Sequence, residues 1–368
     1  MKILVYEHLV ATGGGAADDS PEVAAMLTEG AAMWRAVVAD FASVPGVQVT
    51  TVRASSLAGG VLDQRQVSLG PPDTERVRIV HIVDSVDIAD GEEESLTARV
   101  CQLATEVNAV VLIAPECDGI LERLARAVVA AGGNLISPGP DFIALAADKH
   151  RTAAQLSACG VKAPRGLRLD PGAPLPADFS YPAVFKPVDG AGSTGVRLIP
   201  AWTNDLANDL ADLSESDSST AWRLEEFRPG IPASVAVLCG PAGPVPLQPC
   251  RQRLSDDGRF TYLGGDTRLS AELARRARRL AARALAAFPP TRGYVGIDMV
   301  LGEDPAGSDD YVIELNPRHT TSYVGLRAAC RGNLAAELLR AAAGEIIQPR
   351  FGPEVVVFQA DGRVERLA

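Results

Sequence analysis

Three residues near the end of the chain have the types and spacing to hold a hard cation, and an arginine follows them. Asp298 lies inside the apolar run Tyr294–Leu301. Glu314 and Asn316 close a second run that starts at Tyr311, and Arg318 follows two residues later. A loop rich in Gly, Asp and Pro separates the runs, which predicts two neighbouring antiparallel strands. Side chains two apart on a strand share a face, so Glu314 and Asn316 point the same way, and strand pairing brings Asp298 to them. Two carboxylates and an amide suit a cation such as magnesium, which keeps coordination open for phosphate and water. Arg318 adds a positive charge that is not lost by titration. The alternative is a polar hairpin with solvated acids, disfavoured because carboxylates within apolar runs are costly to leave unpaired.

The lysines point the same way. Of 35 basic residues only four are lysines: Lys2, Lys149, Lys162 and Lys186. A chain that uses Arg almost everywhere keeps Lys where a compact ammonium is needed. A strand carries Lys186 and ends at Pro187. The small-residue loop Asp189, Gly190, Ala191, Gly192, Ser193, Thr194 and Gly195 follows, then a second strand over Val196–Ile199. This is a hairpin flap, not the strand–loop–helix of a Walker P-loop, and its bare amides suit phosphate oxygens. Lys149 stands in the stretch DKHRTAAQLSACG, an apolar helical stripe with a glycine stop. Beyond a polar segment at 204–220, WRLEEFRPGIPASVAVL reads as strand–turn–strand, with Glu225, Glu226 and Phe227 before the turn. Residues 271–288 form an amphipathic helix whose arginines are expected on the solvated face.

The upstream half must support these parts. Strands are expected at 1–7, 47–52, 77–83 and 110–114. Helices fall between and after them: one capped by Ser20 with Pro21 at its first position, others near 95–106 and 118–131. Such alternation predicts an open parallel sheet covered on both faces. GGG at 13–15 is not GxGxxG, which argues against a nicotinamide cofactor. Glu7, Glu116 and Asp118 fall at or just past carboxyl ends of strands, where open sheets place ligands; ordinary loop acids are the alternative.

A length of 368 residues is too much for one core. The expected divisions are 1–147 for the parallel-sheet domain, 148–224 for the flap subdomain, 225–346 for the subdomain with the cation site, and 347–368 for a closing hairpin. A formal charge of −11 disfavours nucleic acid and anionic membrane as partners. No run approaches the roughly 18 apolar residues of a membrane span. The start MKILVYEHLV reads as a strand, not a leader. Six cysteines without CxxC or His-paired spacing point away from zinc and disulfides and toward the cytoplasm. Four histidines and no GxSxG give no case for a serine hydrolase.

Taken in order, Lys149 in DKxxT, Lys186 before the glycine flap, the EEF linker, GxDxV and ExNPR resemble the ATP-grasp superfamily of carboxylate–amine ligases. The resemblance spans about 148–346. It implies an α/β ATP-grasp fold: an N-terminal Rossmann-like parallel sheet, a small glycine-flap lid and a larger mixed subdomain carrying the metal site. It further implies that Lys149 and Lys186 contact ATP phosphates, with the flap 189–195 over the triphosphate. Glu225, Glu226 and Phe227 would line the adenine, largely through backbone groups. Asp298, Glu314 and Asn316 would hold magnesium or manganese, and Arg318 would steady the transferring phosphate. One departure is Gly230-Ile231-Pro232, where many members carry a ribose-binding glutamate.

MKILVYEH, EGAAMWRAVVADF, APECDGIL, GIPASVAVL and ELNPRHTTSYVGL are similar to the tyramine–L-glutamate ligase group of methanofuran-type cofactor biosynthesis. That similarity implies amide formation between glutamate and an aromatic amine, tyramine or tyrosine. Glu7, Glu116 and Asp118 would hold the amine. Thr320, Thr321, Ser322 and Tyr323 would contact acceptor or carboxylate, or else form only a helix-capping loop. A homodimer is compatible with this reading. Another ATP-grasp ligase, with an amino-acid, peptide or carbamoyl substrate, is the main alternative. A non-catalytic nucleotide-binding regulator is another, although no motif lysine or metal ligand is missing.

Overall fold

The computed structural model describes all residues except 15–19, 55–56, 58–78, 86–92, 207–209, 211–220 and 368. Strands β1 (Lys2–Glu7), β2 (Gln48–Ala54), β3 (Ile79–Ser85) and β4 (Ala109–Ile113) form a parallel sheet in the order β3-β2-β1-β4. Ile3 to Tyr6 are fully buried, as expected of a strand covered on both faces. Helix α1 (His8–Thr12) leaves β1 directly, capped by the Glu7 carboxylate, which accepts the Val10 amide at 2.6 Å. Helix α2 (Pro21–Ser43) starts at the Ser20 cap, and α3 (Glu93–Glu106) and α4 (Ile120–Ala130) lie near their expected places. Residues 77 and 78 of the expected third strand lie outside the described residues.

Helices α5 (Pro140–Ala146) and α6 (Lys149–Ala158) lead to a small antiparallel sheet. Its strands are β5 (Gly166–Leu169), β6 (Ala183–Pro187), β7 (Arg197–Ile199) and β8 (Trp222–Glu226), in the order β5-β8-β6-β7. Phe185 stacks on Trp222 with ring centres 4.6 Å apart, closing this sheet's own core.

The large sheet contains β9 (Ile231–Cys239), β10 (Val245–Pro246), β11 (Cys250–Leu254), β12 (Tyr262–Asp266), β13 (Gly293–Leu301) and β14 (Tyr311–Asn316), with β15 (Val355–Gln359) and β16 (Val364–Leu367) as an edge hairpin. The expected strand–turn–strand at 222–238 is therefore not a hairpin. Strands β8 and β9 belong to different sheets, and residues 227–230 cross between them.

Helix α7 (Ala271–Ala286) packs its Ala and Leu face on this sheet. One expectation for it is corrected. Arg276 is buried at 5% exposure, with Nε donating to Asp310 at 3.0 Å and Nη2 to the Gly302 carbonyl at 2.8 Å. Its partner Asp310 is likewise buried, so the pair satisfies itself inside the fold.

Helices α8 (Ser322–Ala329) and α9 (Leu334–Ala342) close the chain against α2. Helix α2 is thus sandwiched: Trp34 donates to Thr51 on β2 at 2.6 Å, while Asp40 accepts the Tyr323 hydroxyl at 2.8 Å and Arg327 at 2.6 Å. One continuous apolar core runs through Ile3, Trp34, Phe41, Tyr323, Leu334 and Phe358. Among the described residues no helix is long and apolar enough to cross a membrane.

Candidate active site

The small and large antiparallel sheets face each other across a cleft of about 670 Å³, to which α2 adds Glu29. Its floor is the β13–β14 pair, in which Asp298 stands directly opposite Glu314 and Gly296 opposite Asn316. The register thus joins Asp298, Glu314 and Asn316 as the side-chain period requires. Asn316 Nδ2 donates to Asp298 Oδ2 at 3.1 Å, and Gln252 Nε2, from β11, donates to Oδ1 at 3.0 Å. Burial, then the charge of Glu314, pushes the Asp298 carboxyl well above its usual range. Burial acts on Glu314 too, but Lys149 and then Lys186 outweigh it and hold its carboxyl below the ordinary value. Two facing half-buried carboxylates and an amide, lining the cleft, fit a hard divalent cation. Among the described residues no set of three His, Cys, Asp or Glu side chains converges, and here the third donor is the Asn316 amide.

Both motif lysines reach this floor. Lys149 opens α6 behind the Asp148 cap, and its Nζ donates to the Gly190 carbonyl at 2.8 Å and lies 3.5 Å from Glu314. Lys186, at the end of β6, is buried, with Nζ 2.5 Å from Glu225. The other Glu225 oxygen takes Arg223 Nε at 2.7 Å, and Arg223 also bonds His150 and the Pro164 carbonyl. The Glu225 side chain is therefore turned to the lysine, which leaves its backbone and the side chain of Phe227 for the cleft wall. Glu226 pairs with Arg228. Pro232 lines the cleft from β9, opposite Val300.

The flap from Asp189 to Gly195 is pinned to both neighbours. Asp189 Oδ2 accepts the Asp118 amide at 3.1 Å, and Ser193 Oγ donates to the Phe260 carbonyl at 2.9 Å. Gly192 has φ of +66°, and a Cβ there would sit 3.3 Å from Met26 of α2. Gly190, Ala191, Gly192, Ser193 and Thr194 line the cleft.

Arg318 reaches across to the N-terminal half, its Nε 2.9 Å from Glu116. That contact lacks hydrogen-bond geometry: Arg318 Nε and both Glu116 oxygens are buried without a hydrogen-bond partner. Glu116 is thus occupied by the arginine. Asp118 is exposed, in a left-handed conformation at φ 53°, and does not line the cleft. Glu7 is 2% exposed, and burial pushes its carboxyl up to about 7.

Thr320, Thr321 and Ser322 line the cleft, with Tyr294 Oη 3.2 Å from both Thr320 Oγ1 and Ser322 Oγ. Tyr323 does not: it is 1% exposed and spends its hydroxyl on Asp40, so it belongs to the core. Sequence reading missed Arg223, Gln252 and Glu29. Glu29 lines the cleft from α2, accepting the Thr321 hydroxyl at 2.9 Å. Only the position of an acid on the edge of an apolar helical stripe could have marked it.

This fold and site define an ATP-grasp enzyme, and the chain belongs to that superfamily as an ADP-forming carboxylate–amine ligase. The ATP-grasp domain model matches residues 146–322, and the pre ATP-grasp 3 domain model matches 61–143. The chain is similar to the tyramine–L-glutamate ligase of Methanocaldococcus fervens, 24% identical over 325 residues, covering 88% of this chain and 89% of the relative. It is also similar to the enzyme of that name from Methanocaldococcus jannaschii, 31% identical over 104 residues, 28% of this chain and 31% of the relative. Among solved structures, an ATP-grasp superfamily protein of Archaeoglobus fulgidus aligns with TM-score 0.66 and 20% identity, over 97% of this chain and 92% of that one. The L-amino acid ligase of Bacillus licheniformis aligns with TM-score 0.67 and 15% identity, over 97% and 79%.

Proposed function

We propose that this cleft joins the side-chain carboxyl of L-glutamate to tyramine, or to tyrosine, through an acyl phosphate. The observation that carries the ligase chemistry is one floor shared by Asp298, Glu314, Lys149, Lys186 and Arg318 beneath a glycine flap. The substrate pair is supported by the likeness to tyramine–L-glutamate ligases along most of both chains.

A carboxylate oxygen attacks the γ-phosphorus of ATP, the bond to the β-phosphate oxygen breaks, and ADP departs. The amine nitrogen then bonds the acyl carbon, the acyl–oxygen bond breaks, inorganic phosphate leaves and the nitrogen gives up a proton. Asp298, Glu314 and Asn316 would hold a divalent cation, which when bound neutralises phosphate charge. Lys186 and Lys149 face the phosphates as compact charges, and Arg318 steadies the phosphoryl group in transit. Flap amides cover the triphosphate, and the flap contacts on Asp118, Met26 and Phe260 exclude water from the acyl phosphate. Adenine lies against Phe227 and the linker backbone. With Pro232 on β9, no acid from that position meets the ribose.

A coupled ADP-release measurement across a panel of amino acids and amines tests this. Release that requires L-glutamate and rises with tyramine or tyrosine is expected. Turnover with glutamate and a non-aromatic amine, while tyramine and tyrosine stay inert, keeps the ligase and discards this substrate pair.

A further inference from the structure

A second, smaller cavity of about 40 Å³ adjoins the cleft, sharing Glu29, Arg318, Ala191 and Gly192 with it. Its volume holds about three groups of water size. Apart from Glu7, Glu29 and Arg318, its walls are apolar: Leu9, Met26, Met33, Ile113, Ala114 and Pro115 among them. Charge around it is unbalanced. Among the described residues Arg318 is the single cation lining it, and its Nε already faces Glu116 at 2.9 Å. Among the described residues neither Glu7 nor Glu29 has an ion-pair partner. Glu116, 5% exposed, has neither oxygen hydrogen-bonded.

The backbone is shaped around these acids. Gly30 sits mid-helix, where glycine costs about 1 kcal/mol against alanine. A Cβ there would lie 2.7 Å from Glu7 Oε1, so the glycine lets a buried carboxylate approach α2. Thr321 holds Glu29 from the other side, 292 positions away in sequence. Glu29 is thus fixed on the boundary between the small cavity and the cleft, beside the arginine assigned to the moving phosphate.

We infer that Glu29 is the specificity-determining residue for the acceptor, holding the ammonium group of a primary amine at the mouth of this side cavity. The inference rests on the amide-ligase reading above. An ammonium supplies Glu29 with the ion-pair partner it lacks, and the first carbons of the amine meet the Met26 and Met33 walls. A cavity this small takes no ring, so the body of the amine lies in the main cleft. Gly192 of the flap packs on Met26, so flap and amine share a wall.

The test compares a cation with its neutral counterpart. Tyramine and 4-(2-hydroxyethyl)phenol, the alcohol in its place, are titrated calorimetrically into the full chain with Mg-ADP present. The native chain is expected to favour tyramine by about tenfold or more, as one buried charged hydrogen bond implies. Glu29→Gln should cut that preference to within about twofold, while Glu22→Gln, exposed on the same helix, keeps it. If Glu29→Gln does not fold, Glu29→Asp carries the test, with a preference reduced to about threefold. Equal binding of both ligands by the native chain overturns the inference, as does full preference in either Glu29 variant. ADP release is read separately. A chain that prefers the ammonium but never turns over keeps the subsite and sinks the ligase reading; turnover without that preference does the reverse.

Discussion

Lys186, Glu225 and Arg223 form a buried row in which one carboxylate answers two cations at 2.5 and 2.7 Å. A compact ammonium fits between Glu225 and the cleft, and a planar guanidinium fork does not reproduce its reach. Lys186→Arg should therefore lower kcat by about a hundredfold or more, the scale of losing one aimed charge at a transferring group. Lys162 donates to the Ser308 carbonyl on the exterior, and Lys162→Arg should leave turnover within about twofold. Equal tolerance at the two positions, in steady-state ADP release, would sink the role given to Lys186. The missing ribose acid belongs to the same scale. With Pro232 in the cleft wall, 2′-deoxy-ATP should turn over within about tenfold of ATP, since one charged hydrogen bond is worth roughly 1.5–3 kcal/mol. A much larger discrimination would show that another side chain holds the 2′-hydroxyl.

At the level of elements, α2 links the two halves of the molecule. Asp40 ties it to Tyr323, Arg327 and Asn333 near its end, and Glu29 meets Thr321 in its middle. Gly30 is a position where helix propensity and packing conflict. Gly30→Ala gains about 1 kcal/mol of propensity but drives a Cβ to 2.7 Å from Oε1 of the buried Glu7 carboxyl, which is anchored through Oε2 to the Val10 amide of α1. Packing should win, because the carboxylate cannot withdraw without losing its cap bond. A net loss of about 1–3 kcal/mol is expected in urea unfolding. A stabilised variant would mean that Glu7 moves freely, and the steric account of Gly30 would fail.

For the whole molecule, two buried groups pull the pH dependence of stability in opposite directions. His319 is stacked on Tyr294 with ring centres 4.5 Å apart, and neither ring nitrogen has a hydrogen-bond partner. Burial lowers its pKa from 6.5 to about 3. It stays neutral in the fold while the unfolded imidazole takes a proton, so its contribution is full above pH 6.5 and is lost as pH falls. Glu7, raised by burial from 4.5 to about 7, favours the neutral carboxyl in the fold. Its contribution is full below pH 4.5 and is lost as pH rises through 7. Each slope is about 1.4 kcal/mol per pH unit at most. Between pH 6.5 and 4.5 they offset each other. His319→Phe should make the chain gain stability on acidification across that window, and Glu7→Gln should make it lose stability. Parallel denaturation curves for the two variants at pH 6.5, 5.5 and 4.5 would refute this pairing.

Several parts of the site were legible from the sequence because their physics is local. Period-2 alternation places Glu314 and Asn316 on one face, and a run of small residues between strands makes a flap. Lysines kept in an Arg-rich chain mark Lys149 and Lys186. The parallel sheet follows from strand–helix alternation in the same way. The tertiary structure alone decided that β8 and β9 part into different sheets, that Glu225 turns its carboxylate to Lys186, and that Arg276 goes inward to Asp310. It also withdrew Tyr323 into the core, set Glu29 on the cleft wall and left Asp118 outside it. Each of these depends on which distant element covers a given face. Burial and ion pairing between residues tens to hundreds of positions apart set that choice, and no local period encodes it.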